Sequence, residues 1–366
     1  MRTAVVSMRR LVRLVSRACS YEFEDAVAAL SGADIIAPAP AFDGSARGMW
    51  RLVPPAFRRA AADLQMQRRR FAPEPVTQNY DLAFVLCHGV ADARFLEVLR
   101  GWRRRFGCVV LWIEDIWPSR IRRFARSLSV HRQADHVVVG VHAALPVARE
   151  LMGPRCVYLP PGVDALAFAP RHIDDPRPVD IAWIGRRMPG AHGALASLAD
   201  RAGLWYHYDT LRAPEYSDHA EHRRALATLV QRTRFFIAHR ARVDMPEVTE
   251  GLHDIGFRHF EGAAAGAVMV GEQPRSPSFR QNFDWPDAVI DVPAEGPEIA
   301  DVISALERQP ERVRAIRRRN VIESLRRHDW VYRWMDVCRI AGFDPSPACR
   351  ERVERLEARA AEFEAM

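Results

Sequence analysis

The chain has 366 residues, of which 48% are hydrophobic and 27% charged, a composition typical of soluble globular domains. All 53 residues of the Lys+Arg total are arginine, which excludes a Walker A phosphate loop and enzymes that form a Schiff base with lysine. No apolar run approaches the roughly 18 residues of a membrane helix, so we expect a cytoplasmic protein of about two domains.

The first part of the chain alternates short β-branched runs with amphipathic stretches. Such alternation predicts βαβ units and a parallel sheet with helices on its faces. The predicted strands are Thr3–Ser7, Ile35–Ala37, Asp81–Cys87, Cys108–Glu114, His136–Gly140 and Cys156–Leu159. We therefore expect residues 1–160, the first half, to form one Rossmann-like domain.

The first half is also the basic half of the chain. Residues 1–170 hold 24 arginines against 15 acidic residues, whereas residues 171–366 hold 29 against 31. The arginine runs are Arg68-Arg69-Arg70, Arg103-Arg104-Arg105 and Arg120–Arg126. An ordinary solvated face is the preferred interpretation, and peripheral contact with a membrane is the alternative. Because no nucleic-acid-reading motif accompanies these runs, we expect no nucleic-acid partner.

Three polar residues stand where predicted strands of the first half end. His88 follows the Asp81–Cys87 run, Glu114 ends the Cys108–Glu114 run, and Asp115 comes directly after it. Ligands of parallel sheets bind beyond the carboxyl ends of the strands. The three residues are therefore candidates for ligand contact, and a structural role for His88 is equally well supported.

Proline and aspartate interrupt the alternation at residues 161–178 and predict a linker, because proline resists helix and central strand. The alternation then resumes and predicts a second Rossmann-like domain at residues 179–345, the second half. Its expected strands are Asp180–Gly185, Leu204–Tyr208, Phe235–His239, Ala267–Gly271 and Val289–Val292. Residues 346–366 predict one more amphipathic helix, placed to cross back to the first half. Two open parallel sheets joined by one linker leave a cleft, which is the expected ligand site.

The most informative stretch runs from Gly256 to Val270. It predicts a helix of small residues followed by an apolar strand. The helix ends at Gly266, where glycine suits the left-handed conformation that often closes helices. Glu261 is the lone carboxylate of this helix, and a helical glutamate of this kind is by default expected to face solvent.

This stretch resembles the donor-site motif of retaining glycosyltransferases with the GT-B fold, of the group-1 or family-4 type. In that family one glutamate, seven further residues and a second glutamate lead into a small-residue helix and an apolar strand. Glu261 matches the second glutamate, which in the family holds the ribose hydroxyls of the nucleotide. A carboxylate suits this role because it can accept hydrogen bonds from two neighbouring hydroxyls.

The first glutamate of the motif is replaced. His253 stands eight residues before Glu261 and is followed by Asp254. In the family this position approaches the donor sugar, so the resemblance implies a catalytic role for His253 or Asp254. The replacement leaves the contacts to the sugar and the stereochemical outcome undecided. Asp254 as an ordinary residue before a helix N-terminus is equally well supported.

A second match lies where the second half begins. The run from Ile181 to Gly185, Arg186 and Arg187 resembles the strand-Gly-Arg turn of the family, in which the arginine faces the donor diphosphate. Arginine offers a two-pronged donor to phosphate oxygens. The lysine that often follows in the family is absent, so Arg187 or Arg258 is expected to supply its charge.

Two more stretches resemble the same family. Pro160-Pro161-Gly162-Val163-Asp164, followed by Phe168-Ala169-Pro170, resembles its linker. His328-Asp329-Trp330, with Arg333 three residues later, resembles the closing helix of a CgeB-like subgroup. The resemblance thus covers roughly residues 156–340 and extends to the first half through architecture alone.

The resemblance implies an α/β protein with the GT-B fold, two Rossmann-like domains that face each other across a cleft. It implies a hexosyltransferase-like enzyme that moves a sugar from a nucleoside diphosphate sugar to a hydroxyl of a glycan, lipid or protein acceptor, with retention of configuration. Glu114 and Asp115 would then face the acceptor, and His88 the donor phosphate or sugar. No metal or other cofactor is expected, because helix N-termini and arginine can neutralise the diphosphate.

Two alternatives to glycosyl transfer stay open. A nucleotide-sugar epimerase shares the two-domain architecture but needs acid and base groups that converge on the sugar. A catalytically silent nucleotide-sugar-binding protein would explain His253 in place of glutamate. Turnover of a nucleotide sugar separates the three, as transfer, epimerisation or binding without chemistry.

Overall fold

A computed structural model describes residues 1–38, 74–210 and 215–366 of the chain. The arginine run Arg68-Arg69-Arg70 lies outside the described residues. Two large parallel sheets, each with helices on both faces, organise the described part of the chain. Among the described helices, none combines the length and the apolar character that a membrane span requires.

The first sheet is built from the first half of the chain. The strands up to the linker are β1 Thr3–Val6, β2 Asp34–Ile36, β3 Glu74–Pro75, β4 Tyr80–Cys87, β5 Leu99–Arg100, β6 Phe106–Ile113, β7 His136–Val139 and β8 Cys156–Tyr158. Six of them form the sheet in the order β2-β1-β4-β6-β7-β8, and every pairing is parallel. The central strands β4 and β6 are almost continuously apolar because helices cover both faces of the sheet.

The helices of the first half and the linker connect these strands. They are α1 Ala18–Ser31, α2 Trp102–Arg105, α3 Pro118–Arg123, α4 Ser129–Gln133, α5 Leu145–Met152 and α6 Ala165–Phe168. The longest, α1, ends at Gly32, whose φ of 62° is the left-handed conformation that glycine adopts without a steric penalty.

The second sheet has five described strands, β9 Val179–Trp183, β10 Tyr206–Tyr208, β11 Thr233–Ile237, β12 Val268–Gly271 and β13 Ile290–Asp291. They pair in parallel in the order β10-β9-β11-β12-β13. The helices around them are α7 Pro189–Ala202, α8 His219–Gln231, α9 Pro246–Thr249, α10 Phe257–Ala264, α11 Pro277–Asn282 and α12 Ile299–Glu307. The two parallel sheets confirm the α/β class expected from the alternation of runs.

Three further helices complete the chain: α13 Pro310–Arg327, α14 Trp330–Ile340 and α15 Pro347–Ala365. Both α14 and α15 pack against α1 of the first half, and α15 also packs along α13. The linker contacts the start of α14, because Val163 forms a parallel bridge with Asp329, the residue before this helix. The Arg352 guanidinium donates to Asp329 at 2.7 and 2.8 Å and to Asp164 at 2.7 Å.

One continuous apolar core joins the two halves. It contains Phe84 of the first sheet, Val163 and Phe168 of the linker, and Phe236 of the second sheet, all fully buried. The halves are thereby held with the carboxyl ends of both sets of strands on the same cleft. This arrangement decides which side chains can meet a common ligand.

Candidate functional site

A cavity of about 360 Å³ lies between the two sheets, in the size range of small-ligand sites. The first half contributes His88, Glu114 and Asp115 to its lining. The second half contributes Gly185, Arg186, Arg258 and Glu261. The structure therefore brings seven of the ten predicted site residues to one cavity.

On the side of the first sheet, an imidazole faces two carboxylates. His88 Nδ1 lies 3.6 Å from Glu114 Oε2, and His88 Nε2 lies 3.7 Å from Asp115 Oδ2. Glu114 is buried and accepts a hydrogen bond from the hydroxyl of Ser20 on α1. These contacts arise because β4 and β6 are neighbours, so the residues after them meet at one edge of the sheet.

Asp115 is tied to the second half. Arg242 Nε donates to Asp115 Oδ1 at 2.8 Å, and Arg242 Nη2 donates to the other oxygen. Trp117 Nε1 also donates to Asp115 Oδ1, at 2.9 Å. Arg242 has a φ of 51°, a left-handed conformation that is uncommon for a residue with a side chain. An ion pair between Asp115 and Arg242 therefore bridges the cleft, and both residues line the cavity.

The strand-Gly-Arg turn places Arg186 at the cavity. Gly185 has a φ of 100°, which favours glycine, and its N–H donates to Asp209 at 2.7 Å. Arg186 Nη1 contacts both carboxylate oxygens of Asp244, at 2.9 and 2.8 Å, and its side chain is 46% exposed. A guanidinium paired at an exposed site can exchange its partner for a ligand at low cost.

Arg187 has different partners from those of Arg186. Its guanidinium donates to the backbone carbonyl of Asp209 and lies over the ring of Tyr208, 5.0 Å from the centroid. Arg187 is not among the residues that line the cavity. Tyr208 belongs to the edge strand β10, so the side chain of Arg187 follows the edge of the sheet. Its predicted role in nucleotide binding stays a prediction.

Glu261 is buried in the wall of the cavity, with 2% of its side chain exposed, so the default expectation of a solvent-facing helical glutamate is wrong. Arg223 Nη1 donates to Oε1, and Arg258 Nη1 donates to Oε2. Burial opposes ionisation, but the charges of Arg258 and Arg223 hold the pKa of Glu261 below its ordinary value. The site therefore contains a buried, ionised carboxylate.

The helix that carries Glu261 also points its N-terminus at the cavity. Gly256, Phe257 and Arg258, at the start of α10, all line the cavity. Backbone N–H groups at a helix N-terminus favour anions. The small residues of this helix allow it to pack closely on the sheet, since a Cβ on Gly262 would lie 2.8 Å from the Phe236 ring.

His253 and Asp254 do not line the cavity. Asp254 is fully buried, and its Oδ2 accepts a hydrogen bond from the N–H of His142 at 2.5 Å. Its Oδ1 accepts from the N–H of Ile255 at 2.8 Å and from the Ser278 hydroxyl at 2.6 Å. Burial raises the pKa of Asp254. Asp254 thus caps the short helix His142–Ala144 of the first half, and the catalytic roles of both residues stay predictions.

Several residues that line the cavity were not predicted as site residues from the sequence, among them Arg223, His239, Arg240 and Arg242. His239 Nδ1 accepts the N–H of Glu272 at 2.9 Å, and burial lowers the pKa of His239 to about 4, so the ring is neutral. The run from His239 to Arg242 follows β11, and the reasoning that singled out His88 after β4 would have found it. Arg223 carries no such signal, because it lies in the middle of α8.

A metal site is not evident in the part of the chain that the structure describes. Those residues contain no group of three or more His, Cys, Asp and Glu side chains that could hold a metal ion. The expectation of metal-independent chemistry stays a prediction.

Comparisons with known proteins found one matching family and several similar structures. Residues 182–339 match the family described as "Glycosyl transferase-like". No curated protein sequence matches the chain. HepE from Anabaena, solved in complex with UDP and glucose, is similar in structure with a TM-score of 0.56 at 12% identity, over 93% of this chain and 99% of HepE. An α-glucosyltransferase solved with UDP-glucose and DNA containing an abasic site has a TM-score of 0.55 at 12% identity, over 93% of this chain and 99% of that one.

The two facing parallel sheets and the similar structures show the GT-B fold, and the match over residues 182–339 shows a likeness to glycosyltransferases in the second half of the chain. This confirms the fold and the resemblance expected from the sequence. The family match runs from β9 to α14, the part of the chain that contains Arg186, Arg258 and Glu261.

Proposed function

We propose that the chain transfers a sugar from a nucleoside diphosphate sugar, with UDP as the first candidate nucleotide, to an acceptor hydroxyl. The observation that carries the proposal is Glu261, a buried carboxylate kept ionised at the wall of the interdomain cavity. Similar structures contain UDP with glucose or UDP-glucose, which supports UDP as the nucleotide.

Glu261 would hold the ribose of the donor. A carboxylate offers about four lone-pair sites, and the two arginines occupy two of them. Two sites remain for the vicinal hydroxyls of a ribose. Pairing with arginine and binding of the ribose are therefore compatible roles for the same side chain.

The diphosphate would lie between Arg186, Arg258 and the N-terminus of α10. Negative charge develops on the diphosphate as the bond to the sugar breaks, and fixed donors stabilise that charge in the transition state. Arg186 would exchange Asp244 for a phosphate oxygen. Arg258, whose Nε donates to the carbonyl of Ile184 at 3.2 Å, is already held at the cavity.

The acceptor would approach from the first half. His88 would face the donor phosphate or sugar, and Glu114 with Asp115 would border the acceptor. We propose retention of configuration only because the sequence resembles a retaining family. The anomeric configuration of the product tests this part of the proposal. The acceptor is a glycan, lipid or protein hydroxyl. Contact of the basic first half with a membrane stays the alternative to an ordinary solvated face.

A thermal-shift screen across nucleoside diphosphates and their sugars tests the proposal first. A ligand at about 100 times its Kd stabilises a protein by ~2.7 kcal/mol, a shift that is readily measured. We expect stabilisation by UDP and a UDP-sugar, followed by release of UDP when an acceptor is present. Activity should persist in excess chelator. Formation of an epimerised nucleotide sugar would instead identify an epimerase. Binding of the nucleotide sugar without turnover would identify a catalytically silent binding protein.

A further inference from the structure

Arg223 lies between a carboxylate of each half of the protein. Its Nε donates to Glu22 Oε2 at 2.7 Å, its Nη2 donates to Glu22 Oε1 at 3.2 Å, and its Nη1 donates to Glu261. The Arg223 side chain is 7% exposed and lies over the ring of Phe168 in the linker, 4.9 Å from the centroid. One buried guanidinium therefore joins α1, the linker and the wall of the cavity.

Glu22 is itself fixed by the segments that join the halves. Its Oε1 accepts from the indole Nε1 of Trp330 at 2.8 Å and from the N–H of Asp164 at 3.1 Å. Trp330 begins α14, and Asp164 belongs to the linker. Glu22 does not line the cavity. Its position nevertheless depends on how α1 packs against the linker and α14.

Glu22, Arg223 and Glu261 form a buried network of charges, so the loss of any one of them affects the other two. The carboxylates of Glu22 and Glu261, with 11% and 2% of their side chains exposed, share one guanidinium, and their charges raise the pKa of Arg223 although burial opposes it. Removal of one partner from a buried network leaves the others without compensation. Glu261 would then rotate towards Arg258, its other cation, and away from its present orientation.

We propose that Arg223 is a positioning residue of the nucleotide site, which holds the free lone pairs of Glu261 towards the ribose and couples them to Glu22 of the first half. This inference rests on the proposed function, since it needs a ribonucleotide at Glu261. It predicts that a residue outside the cavity, on the other half of the protein, sets ribose affinity.

Calorimetric titration of the full chain with UDP and with 2′-deoxy-UDP tests the coupling. Arg223→Gln should weaken UDP binding roughly tenfold, the effect of one charge-assisted hydrogen bond, and should weaken 2′-deoxy-UDP binding less. Glu22→Gln should weaken UDP binding by about threefold with the same preference, a smaller effect because the amide oxygen still accepts one bond. A double variant should be no worse than Arg223→Gln, because the two changes act on one network.

Asp25→Asn is the matched control. Asp25 lies on the same helix as Glu22 and contacts the same helix α8, through His219 Nε2 at 2.6 Å, but it has no bond to Arg223 or Glu261. We expect its UDP affinity to equal that of the wild type. Equal losses for the two nucleotides in Arg223→Gln, or equal effects of Glu22→Gln and Asp25→Asn, would overturn the coupling. If Arg223→Gln does not fold, the second comparison decides alone. A wild type that binds no UDP would instead remove the proposed function.

Discussion

Asp115 and Arg242 form an ion pair across the cleft, with Arg242 Nε 2.8 Å from Asp115 Oδ1. Each side chain is 19% exposed, so the pair is partly shielded from solvent. It connects the segment after β6 of the first sheet to the segment after β11 of the second. The pair is therefore both a structural bridge and part of the cavity wall.

Asp115→Asn should destabilise the protein by about 1–2 kcal/mol, because the charged Arg242 loses its charged partner in a partly buried place. Urea denaturation measures this change. Glu250→Gln is the control, since Arg122 and Glu250 also join the halves, at 3.3 Å, but with side chains 58% and 48% exposed. An exposed ion pair contributes little to stability, so Glu250→Gln should change the free energy of unfolding by close to zero. Equal effects of the two substitutions would contradict the ranking by burial.

Arg186→Ala should weaken UDP binding by ~1.5–3 kcal/mol, the contribution of a hydrogen bond to a charged group. Uridine binding should change little, because uridine lacks the diphosphate. Arg187→Ala should cost less than Arg186→Ala, since the Arg187 guanidinium lies over Tyr208 and outside the cavity lining. Calorimetry of both variants with both ligands measures the difference. Unchanged UDP affinity in Arg186→Ala would end this assignment.

Glu261→Gln should weaken the binding of UDP more than that of 2′-deoxy-UDP, because the deoxynucleotide already lacks one of the two hydroxyls. The variant should also be less stable, since two arginines lose a buried anionic partner. The folded-state pKa of Glu261 is lowered, so its stabilising contribution is present above the unfolded-state pKa and is lost as pH falls through the folded-state pKa. Acid denaturation should therefore be shallower in the variant. A purely structural glutamate would give equal losses for both nucleotides.

Glu24 predicts the opposite dependence on pH. Burial raises its pKa to about 7, against the attraction of Arg9 and the hydrogen bond from Ser7, and Asp25 raises it further. Because the folded state holds this proton more tightly, the contribution of Glu24 is full below pH 4.5 and is lost as pH rises to about 7. The wild type should therefore lose roughly 3 kcal/mol of stability over this range, and Glu24→Gln, which has no group that titrates here, should not. Parallel stability-against-pH curves for wild type and variant would contradict it.

The sequence predicted those parts of the site that depend on local pattern. Apolar runs located β4, β6 and β9, and three of the residues that follow these strands, His88, Glu114 and Gly185, line the cavity. Position after a strand is a reliable guide because parallel strands share one carboxyl edge. Adjacent residues were harder to separate: Arg186 lines the cavity and Arg187 does not, and the direction of each side chain depends on neighbours such as Tyr208.

Other members of the site depend on contacts between distant segments. Arg223 lies within α8, and the packing of α8 against α1, α6 and α10 buries it beside Glu22 and Glu261. Asp254 stands next to the position where a motif glutamate is expected, but it accepts a hydrogen bond from the N–H of His142, which is 112 residues away in sequence. No local pattern encodes such pairs, because each partner has an ordinary environment within its own segment.

The fastening of the linker to the closing helix bears on how the protein can be divided. Arg352 of α15 holds Asp164 and Asp329, and fully buried side chains of the same helix, Leu356 and Phe363, belong to the core that joins the halves. A truncation at residue 345 would uncover that apolar surface and leave the two aspartates without their cation. Residues 346–366 therefore hold the two halves together. We expect a separately expressed second half to need these residues to stay soluble.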